Sequence, residues 1–509
     1  MNTKLINLIV ILLFTTHLTL YVYGSTVYPW LEDDDPYDHA IAVNYISETL
    51  NFIQPEPFFA HYLTPYPPFY GIVMTVLYKL SGLSIPMTLK IFNAIMISLT
   101  IPLFFIWLKR LVNENTALYS TIILSVVPAY MSHFIWAQTL SMLLFFPALY
   151  FFDKYLKDEN DKQKNKLLSI LLIFGILIVQ PSAALILFIM LGIYVISTKS
   201  LYGIDVLIIS LILAFLIYWG PMIYIYSYET VIKQLGLSVA FVTDKNSDTG
   251  GGLIYTIDDF INAPLASKID QPIGFGICVV ILTLIGLICL LLQRNNLTIL
   301  LLLWFVFCLV GVEGNALPCK MMPHRFWVFL SIPVAIIGGI GLQFIIERLP
   351  QYSTIIKIVF IVGLLVGSLY PKFVVETTQW PPGTSWSSNE QISGYANLKQ
   401  TTKDVYVYGM CSNPSMIIGM EMKGWPWIWE TRNYRNISIT DTNDNNYNFL
   451  TKYGYRYLII DSSCLTLYNQ TVIQTKINML LDDKRFEYDN TRSNSGFVVF
   501  RIIYTIRQY

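Results

Sequence analysis

Charge is scarce in this chain. Of its 509 residues only 13% are Asp, Glu, Lys or Arg, about half the fraction in an ordinary soluble domain. Basic and acidic side chains number 33 each, so the net charge is zero. No global field draws in nucleic acid and no basic tract is long enough to hold it, which excludes a nucleic-acid partner. The six cysteines show no paired metal spacing. Cys278, Cys289 and Cys308 sit in apolar runs as small hydrophobes. Cys411 and Cys464 can pair if their domain faces an oxidising compartment. There is no internal repeat, and no low-complexity tract beyond Asp441 to Asn448.

Hydrophobic residues fill the place that charge leaves, at 54% of the chain with 15% aromatic and a mean hydropathy of +0.53. Apolar runs of about 18 or more residues mark membrane-spanning helices. They fall at 5–23, 87–108, 116–135, 139–152, 167–181, 183–198, 203–226, 273–293, 297–312, 326–346 and 354–371. The expected fold is a polytopic α-helical membrane protein of roughly 11 to 13 helices. The run 139–152 is short unless Met131 to Trp136 or Phe151-Phe152 extend it. Gln180-Pro181 marks either a tight hairpin or a break within one element. Lys4 and the apolar stretch after it read as a cleaved signal peptide or a retained first helix, and the membrane-embedded remainder favours the second.

Basic residues set the orientation. Lys109-Arg110, the five lysines from Lys154 to Lys166, Lys199, Arg294 and Arg348 all fall on one side if the first helix runs outward, which leaves the N-terminus cytoplasmic. Pro67 to Leu80, about 14 residues after a Pro-rich stretch, is too short to cross and reads as an interfacial or re-entrant helix. Three parts then lie outside: the acidic loop 24–66, the long loop 227–272 and everything after Tyr370. In the long loop, Gly250 to Gly252 beside Asp258 suggest a mobile lid or an ordinary flexible loop. The expected domains are a transmembrane catalytic part, 1–371, and a soluble extracytoplasmic α/β domain, 372–509. In the latter, strands are expected at Asp404 to Gly409, Asn436 to Thr440, Tyr457 to Asp461 and Gly496 to Ile502, with helices at Asn446 to Tyr453 and Val472 to Asp482. Sequons occur at Asn436-Ile437-Ser438 and Asn469-Gln470-Thr471.

Two features carry chemistry. The acidic run Glu32 to Asp38 offers the oxygen ligands that hard divalent cations prefer, or a general base. It is equally a solvated cap ahead of Pro36 and a helix. Arg325, between an outside loop and a long apolar run, either snorkels to the interface or clamps a phosphate bidentately, with His324 and Lys320 adding positive potential. A lipid-phosphate leaving group needs such charge as a sugar bond breaks.

These residues resemble the GT-C superfamily of polytopic glycosyltransferases. The nearest likeness is to the oligosaccharyltransferase catalytic subunit and its archaeal relatives. Asp35-Pro36-Tyr37-Asp38-His39 is similar to that family's Asp-Pro-aromatic-x-His segment, which implies a catalytic role for Asp35, with Asp34 and Asp33 adjacent. The stretch from Tyr66-Pro67-Pro68 to Ser81-Gly82 looks more like protein mannosyltransferases and lipid A aminoarabinose transferases. Arg325 to Gly341 resembles the Arg-bearing helix whose arginine contacts the lipid phosphate.

The chain departs from the family at Pro128 to Thr139, where a second acidic pair is missing and His133 and Gln138 are the nearest substitutes. Magnesium or manganese, with Asp33, Asp35 and Asp38 as ligands, is implied by the resemblance, and that missing pair argues against it. The tryptophan-rich acceptor motif is reduced to Gly424-Trp425-Pro426-Trp427-Ile428-Trp429-Glu430, which makes Trp425, Trp427 and Glu430, with Asp258, candidates for acceptor or lid contacts, with core or interface anchoring the equal alternative for the tryptophans. The implied activity is transfer of a sugar from a polyprenyl-phosphate-linked donor to a protein, lipid or glycan acceptor. The expected location is a prokaryotic plasma membrane, archaeal by preference, or the endoplasmic reticulum. The alternatives are a non-catalytic scaffold and a polyprenyl-lipid transporter. The second predicts charges in the bundle interior and inverted repeats, whereas the spans carry almost no charge, with Asp205 at an end, and no repeat is visible.

Overall fold

In a computed structural model, the chain is described over residues 2–27, 30–32, 34–53, 66–198, 202–231, 254–262, 274–293, 295–314, 323–348, 354–377, 388–401, 405–412, 416–417, 420, 422–424 and 429–504. Its helices begin with α1 (Thr3–Thr26), α2 (Asp34–Thr49), α3 (Phe69–Ser81), α4 (Ile85–Leu108), α5 (Glu114–Val126), α6 (Gln138–Lys157), α7 (Lys162–Leu177), α8 (Pro181–Thr198), α9 (Tyr202–Ala214) and α10 (Gly220–Tyr226). They continue with α11 (Ile257–Ile261), α12 (Ile277–Gln293), α13 (Asn296–Val312), α14 (Pro323–Arg348), α15 (Thr354–Thr377) and α16 (Asn389–Thr401). After these come β1 (Tyr406–Gly409), α17 (Trp429–Ser438), α18 (Asn443–Lys452), β2 (Tyr455–Asp461), α19 (Cys464–Leu467), α20 (Gln470–Leu481), β3 (Phe486–Tyr488) and β4 (Phe497–Ile502). Two compact units form. The first holds Met1–Val27, Pro65–Tyr70 and Lys90–Gln379, and the second Tyr28–Thr64, Gly71–Leu89 and Trp380–Tyr509.

The first unit is a helical membrane bundle. Five described helices are long and apolar enough to cross a bilayer: Thr3–Thr26, Ile85–Leu108, Pro181–Thr198, Tyr202–Tyr226 and Arg325–Arg348. Their unpacked faces are aliphatic, with Ile208, Leu211, Ile212 and Leu216 of the fourth exposed, as a lipid-facing surface requires. The run 202–226 is continuous. Residues Phe215–Trp219 form a π-helical turn just before Gly220-Pro221, where proline lacks the N–H that a regular turn needs. Helices α12 and α14 pack through small residues. A Cβ on Gly286 would lie 1.9 Å from the Ile337 carbonyl oxygen, and one on Gly339 would lie 2.1 Å from Ser120 Oγ of α5. Such close approach is how helices associate where lipid removes any hydrophobic gain.

Several boundaries differ from the sequence expectation. The run 116–135 is helical only to Val126, because Val127-Pro128 ends α5, and 127–137 is a loop. Helix α6 gains instead, reaching Lys157. Gln180-Pro181 is a break between two helices, with Pro181 opening α8, where its missing N–H costs nothing. The last long helix does not stop at 371 but continues through Pro371 to Thr377.

Basic residues gather at one end of this bundle in ion pairs. Buried Asp153 accepts from Arg110 Nε at 2.7 Å and lies 2.6 Å from Lys157 Nζ, and Arg110 also reaches Asp158 at 2.9 Å. Lys166 pairs with Asp205. At the opposite end of α14 and of α5 lie Arg325 and the loop 127–137, since the two helices run antiparallel. The Thr116 hydroxyl bonds Gln343, and Ser120 Oγ donates to the Ile336 carbonyl at 3.4 Å.

In the second unit, α2 and α3 pack closely, with Thr75 Oγ1 donating to the Val43 carbonyl at 3.4 Å. A four-stranded sheet of order β1-β2-β4-β3 has β1 and β2 parallel and the other pairs antiparallel. Tyr408, Leu458, Ile460 and Phe500 from its strands share a core with Leu450 and Leu480 from α18 and α20. Cys411 and Cys464 form a disulfide across the ends of β1 and β2. One expected strand is absent: Asn436 to Thr440 is the last turn of α17 and the turn after it. Its alternating Ile-Ser-Ile pattern is overridden by side-chain bonds that hold the turn. Asn446 Nδ2 donates to the Ser438 carbonyl at 3.0 Å, and Tyr434 Oη donates to Asp441 at 2.9 Å. The short β3 was not foreseen, because three residues show no alternation to read.

Candidate functional site

Arg325 is the third residue of α14, which Pro323 opens at a position where its fixed φ is preorganised for a helix. An aromatic clamp fixes this end of the helix. The Trp327 ring is fully buried among Tyr255, Phe260 and Phe275, at centroid distances of 5.2, 4.8 and 5.2 Å. Phe326 fills the space above Gly311, where a Cβ would come within 2.0 Å of its ring. Tyr255 and Phe260 belong to α11 and its lead-in, so the segment 254–262, which contains Asp258, is packed on the arginine-bearing helix. Asp259 caps α11 by accepting from the Thr256 N–H at 2.6 Å, while Asp258 is exposed on the helix's first turn. The carboxyl of Glu313, at the end of α13, is pushed up by burial and further by the negative charge of Asp259.

The Arg325 guanidinium is partly exposed, yet Nε and Nη1 are buried with no hydrogen-bond partner among the described residues. Leaving charged donors desolvated is costly. The two nitrogens belong to different edges of the planar guanidinium, and from either edge the group can donate to an oxyanion. Farther along α14, Leu330 and Val334, one turn apart, line an apolar cavity of ≈ 270 Å³ with Phe260, Phe275, Leu284 and Phe305. The hydroxyl of Thr283 in its wall is spent on the Val279 carbonyl at 2.8 Å. The α14 start therefore combines two buried guanidinium nitrogens, unpartnered among the described residues, with a hydrocarbon groove farther along the same helix. The side chains of His324 and Lys320 lie outside the described residues.

The acidic run opens α2 in the second unit. Asp35 lies in the first turn, where the helix dipole favours negative charge. Asp38, one turn on, shares its face, and both are partly buried. His39 is buried and its imidazole is pushed down to about 3 by desolvation, so it carries no charge at neutral pH. Asp33 and the side chain of Asp34 are outside the described residues, as are Trp425, Trp427 and the side chain of Glu430. Among the described residues no group of three His, Cys, Asp or Glu side chains is arranged to hold a metal ion. The described part of the acidic run therefore does not assemble a cation site.

The loop 127–137 holds a feature the sequence reading did not find. The stretch 128–139 has no carboxylate of its own, but Glu376 from α15 brings one to it. Glu376 Oε2 accepts the His133 backbone N–H at 2.7 Å, and its other oxygen lies 2.9 Å from Lys372 Nζ. Lys372 donates to the Tyr130 carbonyl at 2.6 Å and to that of Met131. Both lie past Tyr370, where the apolar run ends, in the stretch the sequence pattern gives to the outer domain. The signal that could have found them is their i, i+4 spacing directly after an apolar helix.

The sequence matches no family model and no curated protein. Its fold does match solved structures. The ArnT of Cupriavidus metallidurans bound to undecaprenyl phosphate has a TM-score of 0.61 at 12% identity, over 96% of this chain and 97% of that one. The archaeal oligosaccharyltransferase AglB of Archaeoglobus fulgidus, in complex with an inhibitory peptide and a dolichol-phosphate, has a TM-score of 0.57 at 10% identity, over 98% of this chain and 74% of that one. The mycobacterial arabinofuranosyltransferase AftD has a TM-score of 0.57 at 12% identity, over 99% of this chain but 42% of that one. The chain thus has the fold of GT-C membrane glycosyltransferases, a polytopic helical bundle with a C-terminal sheet domain.

Proposed function

We propose that this chain is a membrane glycosyltransferase that moves a sugar from a polyprenyl-phosphate-linked donor to a protein, lipid or glycan acceptor. The observation that carries the reading is Arg325, with two buried guanidinium nitrogens unpartnered among the described residues, at the head of a helix that also lines a hydrocarbon groove. A polyprenyl phosphate has the matching chemistry: an oxyanion for the guanidinium and an apolar chain for the groove. The proteins of like fold bind undecaprenyl phosphate and dolichol-phosphate, which supports the same donor class here.

In this reading the acceptor nucleophile displaces the lipid phosphate at the anomeric carbon, with inversion. The new bond forms as the carbon–oxygen bond to phosphate breaks, and the electron pair leaves on the phosphate oxygen. Arg325 neutralises that growing charge. Asp35, with Asp34 beside it, takes the acceptor proton or orients the acceptor. Trp425, Trp427, Glu430 and Asp258 are assigned to acceptor selection and covering of the site. The basic end of the bundle is placed on the cytoplasmic side and the sheet domain outside, in keeping with its disulfide.

The purified chain in lipid nanodiscs, supplied with sugars on undecaprenyl and dolichyl phosphate, is expected to release the free lipid phosphate in an acceptor-dependent way. Asp35→Asn at unchanged expression is expected to abolish this release. Release that persists in Asp35→Asn removes that residue from the chemistry, and release unchanged in Arg325→Ala removes the phosphate clamp.

A further inference from the structure

We propose that Lys372 and Glu376 are positioning residues that lock the loop 127–137 in one conformation at the Arg325 end of the bundle. The loop is almost wholly buried. Irregular backbone in that setting needs a partner for every polar group, and here the partners come from three helices. Lys372 on α15 donates to the carbonyls of Tyr130 and Met131. Glu376, one turn on, accepts the His133 N–H at 2.7 Å. Asn93 on α4 donates from Nδ2 to the carbonyls of His133 and Phe134, both at 3.2 Å. Tyr21 on α1 donates to the Met131 carbonyl at 3.4 Å.

Those bonds fix a strained turn. Met131 has φ of +50°, a left-handed conformation that side chains other than glycine adopt only when their surroundings over-determine it. Lys372 and Glu376 are both 0% exposed. A buried ion pair contributes little net stability, whereas removing one partner is costly. The arrangement is therefore better explained by what each charge does to the loop: one supplies donors to two carbonyls, the other an acceptor to one N–H. Because α5 runs antiparallel to α14, the loop that follows α5 is level with the first turns of α14. The lock holds this preset wall at the level of Arg325, and its catalytic consequence rests on the transferase reading above.

Two variants separate loop positioning from a simple ion pair within α15. Lys372→Glu/Glu376→Lys keeps the pair but puts an acceptor against carbonyls and a donor against an N–H. Glu376→Gln breaks the pair but keeps an acceptor for His133. Hydrogen exchange of the intact chain in nanodiscs is expected to show residues 130–134 exchanging on the order of 100-fold faster in the swapped variant, with Glu376→Gln staying protected. Protection in the swap with loss in Glu376→Gln, or no change in either, overturns the proposal. If the swapped chain does not accumulate, or if both variants lose protection, Asn93→Asp decides. It removes the donor at the loop's other anchor, so faster exchange supports the lock and unchanged exchange sinks it. With any donor that turns over, the swap is expected to lower kcat by about 100-fold while the donor KM holds. Exchange needs no substrate, so a chain without transferase activity leaves this result standing.

Discussion

The ring of Phe260 lies 4.8 Å from the ring of Trp327, two residues along α14 from Arg325. A short loop helix is thereby attached to the helix that presents the guanidinium. Phe260→Ala is expected to loosen that attachment and to cost about 1–3 kcal/mol of local stability, less than for a fully buried ring because Phe260 is partly exposed. Binding of undecaprenyl phosphate, followed by thermal shift in detergent, is expected to weaken with it. Affinity at the wild-type value would separate the aromatic clamp from the phosphate site.

Arg325→Lys discriminates a bidentate clamp from a point charge. Lysine keeps the charge but not the planar fork. If both guanidinium edges hold phosphate oxygens, losing one charge-assisted bond should weaken undecaprenyl phosphate binding by about 10- to 100-fold. Equal affinity in Arg325→Lys at low and moderate salt would make the contact a simple electrostatic one.

The disulfide between Cys411 and Cys464 closes a sequence separation of 53 residues. Removing a native bridge from a small domain typically costs ~2–5 kcal/mol, chiefly by freeing the unfolded chain. Cys411→Ala/Cys464→Ala should therefore lower the melting temperature of the sheet unit, read by exchange at β2 and β4. Reductant should produce the same change in the wild type and none in the double variant. A wild-type melting temperature in the variant would show the bridge to be dispensable.

The membrane class was legible because composition and long apolar runs act over many residues at once. The GT-C resemblance rested on short motifs and agrees with the fold. Strands β2 and β4 announced themselves by consecutive β-branched and aromatic residues, as in Tyr457 to Ile460. What failed was local. Val127-Pro128 halts a helix inside an apolar run, so hydropathy alone carried the expected span on to residue 135. Lys372 and Glu376 fall past the apolar run that ends at 371, so hydropathy gives them to the outer domain, and only tertiary partners such as the Tyr130 carbonyl and the His133 N–H explain their burial. At Asn436 to Thr440, Asn446 and Tyr434 decide the backbone from outside the segment. The buried Arg325 nitrogens, unpartnered among the described residues, were likewise invisible, since desolvation is a property of neighbours.

Lys476 on α20 gives the sheet unit a pH signature. It is 2% exposed, with Nζ donating to the Asp441 carbonyl at 2.8 Å and to Asn443 Oδ1 at 3.3 Å. Burial pushes its ammonium down to about 8, with the nearby Asp441 charge opposing that shift. The folded value is thus below the unfolded one, so the unfolded chain binds the proton more tightly. Below about pH 8 both states are charged and the full destabilisation is present. Between pH 8 and about 10.5 the unfolded state holds more protons, and stability rises with pH until the penalty is gone. Lys476→Met should remove this rise and make the unit more stable at pH 7, though it leaves the Asp441 carbonyl without that donor. Urea midpoints for the sheet unit at pH 7, 8 and 9, in wild type and variant, measure the difference directly. A midpoint gap between the two that does not narrow as pH rises would show that the Lys476 ammonium is not the destabilising group.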